Sequence, residues 1–176
     1  MYVGTFKLAS VLTEIVWTTV SGIHIRRLAC GAMLVAEPVA GTPVLATCWQ
    51  VPMGTARDPD SEYGYAAMYA ELVFRGAGDL DSRAQSHAFE QIGAQRFSVA
   101  SRYHLKVGAT MLREEGKEGM SLLAAAIRAP ALSSEAVDPA RRLCLQAMRS
   151  IEDDPSLRAA LLLREYHLPP PWNRHG

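Results

Sequence analysis

The chain has 176 residues, 49% of them hydrophobic, enough for one ordinary domain with a core of its own. Its 18 basic residues balance 18 acidic ones, so no net field argues for nucleic acid or an anionic membrane surface as partner. Three cysteines, Cys30, Cys48 and Cys144, are odd in number and far apart, which fits reduced, buried thiols better than a disulfide framework or a zinc knuckle.

Val3–Val20 is apolar, but Lys7 and Glu14 interrupt it short of the about 20 apolar residues that a membrane span needs. A charged leader with a small-residue cleavage site is not recognisable either. Residues 1–21 are therefore expected to form an N-terminal extension, helical or irregular, ahead of a domain over residues 22–176, with a cytoplasmic location.

Two short apolar runs, Ile23–Leu28 and Ala32–Glu37, flank Gly31 and read as a β-hairpin. Pro38–Pro43 is a loop, and Val44–Val51 reads as a third, more buried strand. Good helix formers (Ala66, Ala67, Met68, Ala70, Leu72) predict a helix from about Tyr65 to Arg75, closed by Gly76. Ala77–Asp81 reads as a turn, and Ser82 as the N-cap of a helix reaching about Ile92. Gln95–Ser101 and Tyr103–Ala109 supply a pair of strands. Met111–Ala129 reads as a helix interrupted by Gly116 and Gly119 and stopped by Pro130. Ser133 or Ser134 caps a long helix through about Ile151, although Asp138-Pro139 within it reads as a turn. Asp153 or Asp154 caps another helix, with Pro155 in its first turn, running to about Tyr166. Leu168–Gly176, with three consecutive prolines and Trp172, is expected to be an extended tail lying across a neighbouring surface. This order predicts an α+β fold, a largely antiparallel sheet with helices packed on one face.

The stretch Glu62–Gly78 reads Glu-Tyr-Gly-Tyr-Ala-Ala-Met-Tyr-Ala-Glu-Leu-Val-Phe-Arg-Gly-Ala-Gly. It resembles the active-site helix of the pitrilysin/insulinase family of zinc metallopeptidases, Glu-x-Gly-x-Ala-His-x-x-Glu-His-x-x-Phe-x-Gly-Thr-x, which carries the inverted zinc motif H-x-x-E-H. Gly64, Ala66, Phe74, Gly76 and Gly78 keep the frame. Gly54-Thr55-Ala56-Arg57-Asp58-Pro59 follows the family's Gly-Ser-x-x-Asp/Glu-x-Pro segment, and Glu152-Asp153-Asp154-Pro155 matches a Glu-Asp-x-Pro-like sequence downstream. The resemblance runs from Ile23 to Gly176. Since a family domain continues with further strands and a helix, it implies an incomplete pitrilysin-like half-domain.

The resemblance also implies that the chemistry of the helix is lost. Ala67 stands where the first zinc histidine belongs, Ala70 at the catalytic glutamate and Glu71 at the second histidine. The third ligand, a glutamate on the long helix, falls at Gln146 or Ala147. Catalytic zinc takes three protein ligands and leaves a position for water, whose proton a nearby carboxylate accepts. Of the former active-site residues only Glu71 is a candidate ligand, a weak one, so no metal or cofactor is expected, whereas active relatives use zinc. His104, His167 and His175 do not converge with Glu71 in sequence, His24 reads as a solvent-side or satisfied strand histidine, and His87, three residues before Glu90, reads as decoration of an exposed helix face rather than a chelating residue. Ala67 and Ala70 are expected to fill core. Glu71 is expected to pair with Arg75 across the helix surface or, facing inward, with Arg141, Arg142 or Arg149.

Three functions from different classes stay open on the sequence. The resemblance favours a non-catalytic pitrilysin-like domain, a structural or substrate-chamber subunit beside an active partner or a second domain. The second is a zinc metallopeptidase with non-standard ligands, and the third a peptide-binding module that adds a guest strand to an exposed sheet edge. The partners expected are a second pitrilysin-like domain or subunit, with peptide as the alternative, and neither nucleic acid nor membrane.

Overall fold

The computed structural model describes residues 18–174. The chain divides between Thr42 and Pro43 into two compact units, each described here by itself. Most of the expected extension lies outside the described residues, as do His175 and Gly176. Its last part does not: Thr18–Val20 is a strand, β1.

In the first unit, β1 pairs antiparallel with β2 (Ile23–Arg27), which pairs antiparallel with β3 (Met33–Ala36). Ser21 and Gly22 both have positive φ, 51° and 82°, the mirror-image two-residue turn whose twist matches the strands it joins. The β2–β3 hairpin is the one expected around Gly31.

The second unit is built on three antiparallel strands in the order β4 (Val44–Val51), β8 (Leu105–Leu112), β7 (Gln95–Ala100). Side chains alternate across β8, and Leu105, Val107, Ala109 and Met111 all point into the core. Helices cover that face: α1 (Tyr65–Leu72) supplies Ala70, α2 (Ser82–Gln91) supplies Phe89, and α3 (Gly116–Arg128) supplies Leu123 and Ala126, with Val73 joining them just after α1. Burying Phe89 or Leu123 contributes roughly 1.5–3 kcal/mol each. The opposite face stays exposed at Val44, Phe97, Val99 and Leu112. This is the expected α+β arrangement, helices on one face of an antiparallel sheet. A two-residue ribbon, β5 (Gly76–Ala77) with β6 (Leu80–Asp81), links α1 to α2 where a turn was expected. The last helices are α4 (Ser134–Glu152) and α5 (Pro155–His167).

Several sequence expectations are corrected. The helix α1 stops at Leu72, and a tight turn, with Arg75 N–H on the Leu72 carbonyl at 2.9 Å, leads into Gly76. Asp81 caps α2 in place of Ser82, its Oδ1 accepting from Ala84 N–H at 2.7 Å. Met111 and Leu112 extend β8, because Met111 is opposite Leu45 and faces the core, so α3 begins only at Gly116. Gly119 does not interrupt α3. A Cβ there would sit 2.1 Å from Met111 Sδ, so the glycine lets the helix approach the sheet. Pro139 lies inside α4, early enough that the helix continues through it. His104 is in the β7–β8 turn, not mid-strand, with its N–H on Ser101 Oγ. Cys30 and Cys48 are exposed and Cys144 is half-buried, so the thiols are unpaired but not buried. The tail folds onto its own unit: Trp172 packs on Tyr103 with centroids 5.1 Å apart, and Arg174 pairs with Asp60 and bonds the Asp58 carbonyl.

Candidate functional site

The site is built around α1. Its N-terminus begins at Gly64, whose φ of 106° suits glycine, and the orphan N–H groups of the first turn need acceptors. Asp58 supplies them from outside the helix: Oδ2 accepts from Gly64 N–H at 2.8 Å and Oδ1 from Ala66 N–H at 3.1 Å. Asp58 is itself buried. The short 3₁₀ turn Thr55–Arg57 that delivers it is pinned to the β7–β8 loop, Thr55 N–H to the Ser101 carbonyl and Ala56 N–H to the Arg102 carbonyl, both 3.1 Å. Sequence reasoning aligned Asp58 with a motif but did not find this role.

The residues singled out by sequence fall as follows. Ala70 is buried against the core, and Ser98 Oγ donates to its carbonyl at 2.5 Å, tying β7 to α1. Ala67 is half-buried. Glu71 is also half-buried, on the wall of a polar cup. Gln146 and Ala147 are exposed on α4. The same helix passes Glu71 at Cys144, whose thiol pKa is raised above 9.0 by burial and then by the Glu71 charge, a backbone hydrogen bond opposing both. The expected Glu71–Arg75 pair does not form. Arg75 Nε instead donates to the Glu71 carbonyl at 3.0 Å, and neither Arg141, Arg142 nor Arg149 makes an ion pair with Glu71.

Zinc needs three N, O or S donors converging within about 2.0–2.3 Å. Among the described residues no group of three His, Cys, Asp or Glu side chains comes together in a way that could hold a metal. The donor set around Glu71 does not fit zinc.

What the fold does gather is a polar cup of about 280 Å³ lined by Ala70, Glu71, Phe74, Arg75, Ser82, Ser86, Arg96 and Ser98. Arg96 packs over Phe74 and Phe89, its guanidinium carbon 5.5 and 5.4 Å from their centroids, and donates to Ser86 Oγ at 2.9 Å. The two rings meet edge-on at 5.5 Å. Arg96 and Ser86 carried no signal in the sequence, since only tertiary packing of α2 against β7 brings them beside α1. At the N-terminal end of α1, a more apolar groove of about 500 Å³ is lined by Met53, Tyr63, Tyr65, Met68 and Leu132 among others. There Tyr65 O–H donates to Glu62 Oε2 at 2.6 Å, which raises its pKa above 10.0.

The fold has solved counterparts. The crystal structure of the peptidase M16 inactive domain from Pseudomonas fluorescens superposes with a TM-score of 0.72 at 17% identity, over 81% of this chain and 35% of that one. A protease from Helicobacter pylori gives 0.63 at 16% identity, over 81% of this chain and 32% of that one. Pitrilysin gives 0.73 at 15% identity, over 86% of this chain and 18% of its own. The chain thus spans roughly a third of the first two and less than a fifth of the last. No curated protein sequence matches it. The family description "Insulinase (Peptidase family M16)" matches residues 37–168, from the loop after β3 through α5 and most of the chain, and so the chain belongs to the insulinase family of peptidases, M16.

Proposed function

We propose that this chain is a non-catalytic M16 domain that works as a structural or substrate-chamber element beside a second domain or subunit of the same family. One observation carries the reading: the face of α1 presents Ala67, Ala70 and Glu71, and no three potential metal ligands meet there among the described residues. Two more support it. One similar structure is of a domain described as inactive, and all three similar structures are of chains much longer than this one. Met148 on α4 and Leu163 and Tyr166 on α5 are strongly exposed, as they would be if a further part of such an assembly covered them. Unpaired Cys30, Cys48 and Cys144 suit a reducing compartment, the cytoplasm in this reading. Among the described residues no helix is long and apolar enough to cross a membrane.

The test is metal analysis by mass spectrometry on chain purified without chelator, with peptidase assays before and after added zinc. Sub-stoichiometric zinc and no cleavage are expected. Stoichiometric zinc that survives gel filtration and is lost in Glu71→Ala would overturn the reading in favour of a peptidase with non-standard ligands.

A second reading has one observation of its own. Among the described residues β7 pairs only with β8, so its other edge is open to a guest peptide strand. Protection of alternate β7 amides from exchange by an added peptide is the mark of that mode.

A further inference from the structure

The cup beside α1 contains more positive charge than a packed scaffold wall requires. Arg75 and Arg96 both line it, both are half-buried, and neither makes an ion pair among the described residues. Arginine stays protonated at any ordinary pH, so two guanidinium groups stand in one concavity with a single carboxylate, that of Glu71, on its wall and no ion pair to it. Their positions are fixed from behind. The Arg96 group is held over Phe74 and Phe89 and by Ser86 Oγ, and Arg75 is tethered through Nε to the Glu71 carbonyl, which leaves its two terminal nitrogens free to donate.

The hydroxyls divide by what they have left to give. Ser98 has donated its proton to the Ala70 carbonyl. Ser86 accepts from Arg96, so its own proton is still available, and Ser82 at the start of α2 makes no hydrogen bond through its hydroxyl. Two residues with charged planar forks and two with hydroxyl donors line a space of about 280 Å³. Planar oxyanions are what such forks bind, two parallel N–H···O bonds at a time.

The geometry points to a binding site for a carboxylate group, presented by a peptide's C-terminus or by an aspartate or glutamate side chain, with Arg75 and Arg96 as its principal ligands and Ser82 and Ser86 as auxiliary donors. Glu71 decides the class of anion. With it on the wall the cup carries two positive charges and one negative, so a monoanion neutralises it, whereas dianionic phosphate would overshoot and meet the Glu71 charge at close range. The site needs neither zinc nor a second domain, and it stands or falls separately from the scaffold role.

The experiment follows the arginine Nε–Hε resonances of the full chain by two-dimensional NMR at fixed ionic strength. Three blocked peptides of alanine and valine serve as probes: one ending in a free carboxylate, one amidated but carrying a glutamate, and one amidated and uncharged. Inorganic phosphate is the fourth. The two carboxylate peptides are expected to shift Arg75 and Arg96 saturably, and whichever binds more tightly identifies the source. The uncharged peptide and phosphate should bind at least about tenfold more weakly. Arg75→Gln should weaken the carboxylate peptides by about tenfold or more, and Glu71→Gln, which leaves the arginines in place, should strengthen them several-fold. Equal binding by the uncharged peptide or by phosphate overturns the assignment. So does a Glu71→Gln chain whose carboxylate affinity is unchanged.

Discussion

The strands β7 and β8 with α1, α2 and α3 differ sharply from α4 and α5. In the first region Phe89, Leu105, Val107 and Leu123 are sealed from solvent and every element contributes to one core. In the second, α4 buries only Ala136 and Ala140, against Leu72 and Met68, and α5 buries nothing. Yet α5 is well made locally: Asp154 Oδ1 caps it through Ser156 and Leu157 N–H at 2.9 and 3.0 Å, with Pro155 in the first turn. Local signals alone therefore specify α5, while packing specifies the sheet region. A helix held by its cap and a narrow contact is marginal in water, since most helix stability in proteins comes from the buried face.

That contrast is most directly broken by truncation on each side. Phe89→Ala should cost about 3–5 kcal/mol and abolish or severely weaken cooperative unfolding. Leu163→Ala, at a residue 71% exposed, should change stability by no more than about 0.5 kcal/mol. Urea unfolding followed by circular dichroism measures both, and comparable losses would show that α5 is packed as firmly as α2.

Next in size is the joint that seats α1 on the core. Asp58→Ala leaves the Gly64 and Ala66 N–H groups without their acceptor, the second of them fully buried, and should cost about 2–4 kcal/mol. Asp58→Asn keeps one acceptor oxygen and should recover part of the loss in a thermal melt. If alanine and asparagine melt alike, the carboxylate is not what holds the helix start.

The smallest effect lies where the two regions meet, at Cys144. Its thiol pKa is raised by burial and by Glu71, and that of Tyr69 by burial, so the folded chain holds these protons more tightly than the unfolded one. The resulting stability is fully present below the ordinary values of 9.0 and 10.0 and is lost as pH rises through the raised ones. Alkylation by iodoacetamide, read by mass spectrometry, should be slower at Cys144 than at exposed Cys30 and Cys48 under mildly alkaline conditions. Glu71→Gln should speed it. An unchanged rate would mean that the Glu71 charge does not reach the thiol.

Elements whose signals are local were legible in the sequence. Gly31, Asp154, Pro155 and the alanine-rich run after Gly64 each announced a turn, cap or helix that the structure contains. The start of α3 was not legible, because Met111 and Leu112 suit a helix locally while pairing with Leu45 and Val44 holds them in β8. For the site, the i, i+3, i+4 spacing put Ala67, Ala70 and Glu71 on one helix, which the structure keeps. Asp58 and Arg96 act across distances in sequence that no periodicity encodes, the first by reaching into a helix it does not belong to, the second by stacking on rings from α2 and the turn after α1.

The contact between Arg174 and Asp58 joins residues 116 positions apart. Such a contact closes a very long loop, and its entropy cost is met only after the intervening sheet and helices have shortened the effective distance. The tail is thus expected to dock after the sheet and helices have formed. Since it lands on the segment that holds α1, the seat of that helix is completed by the end of the described chain. On a ribosome that order has a consequence: the core can collapse while α5 is still being made, but the seat of α1 gains its final lock only once Arg174 has cleared the exit tunnel.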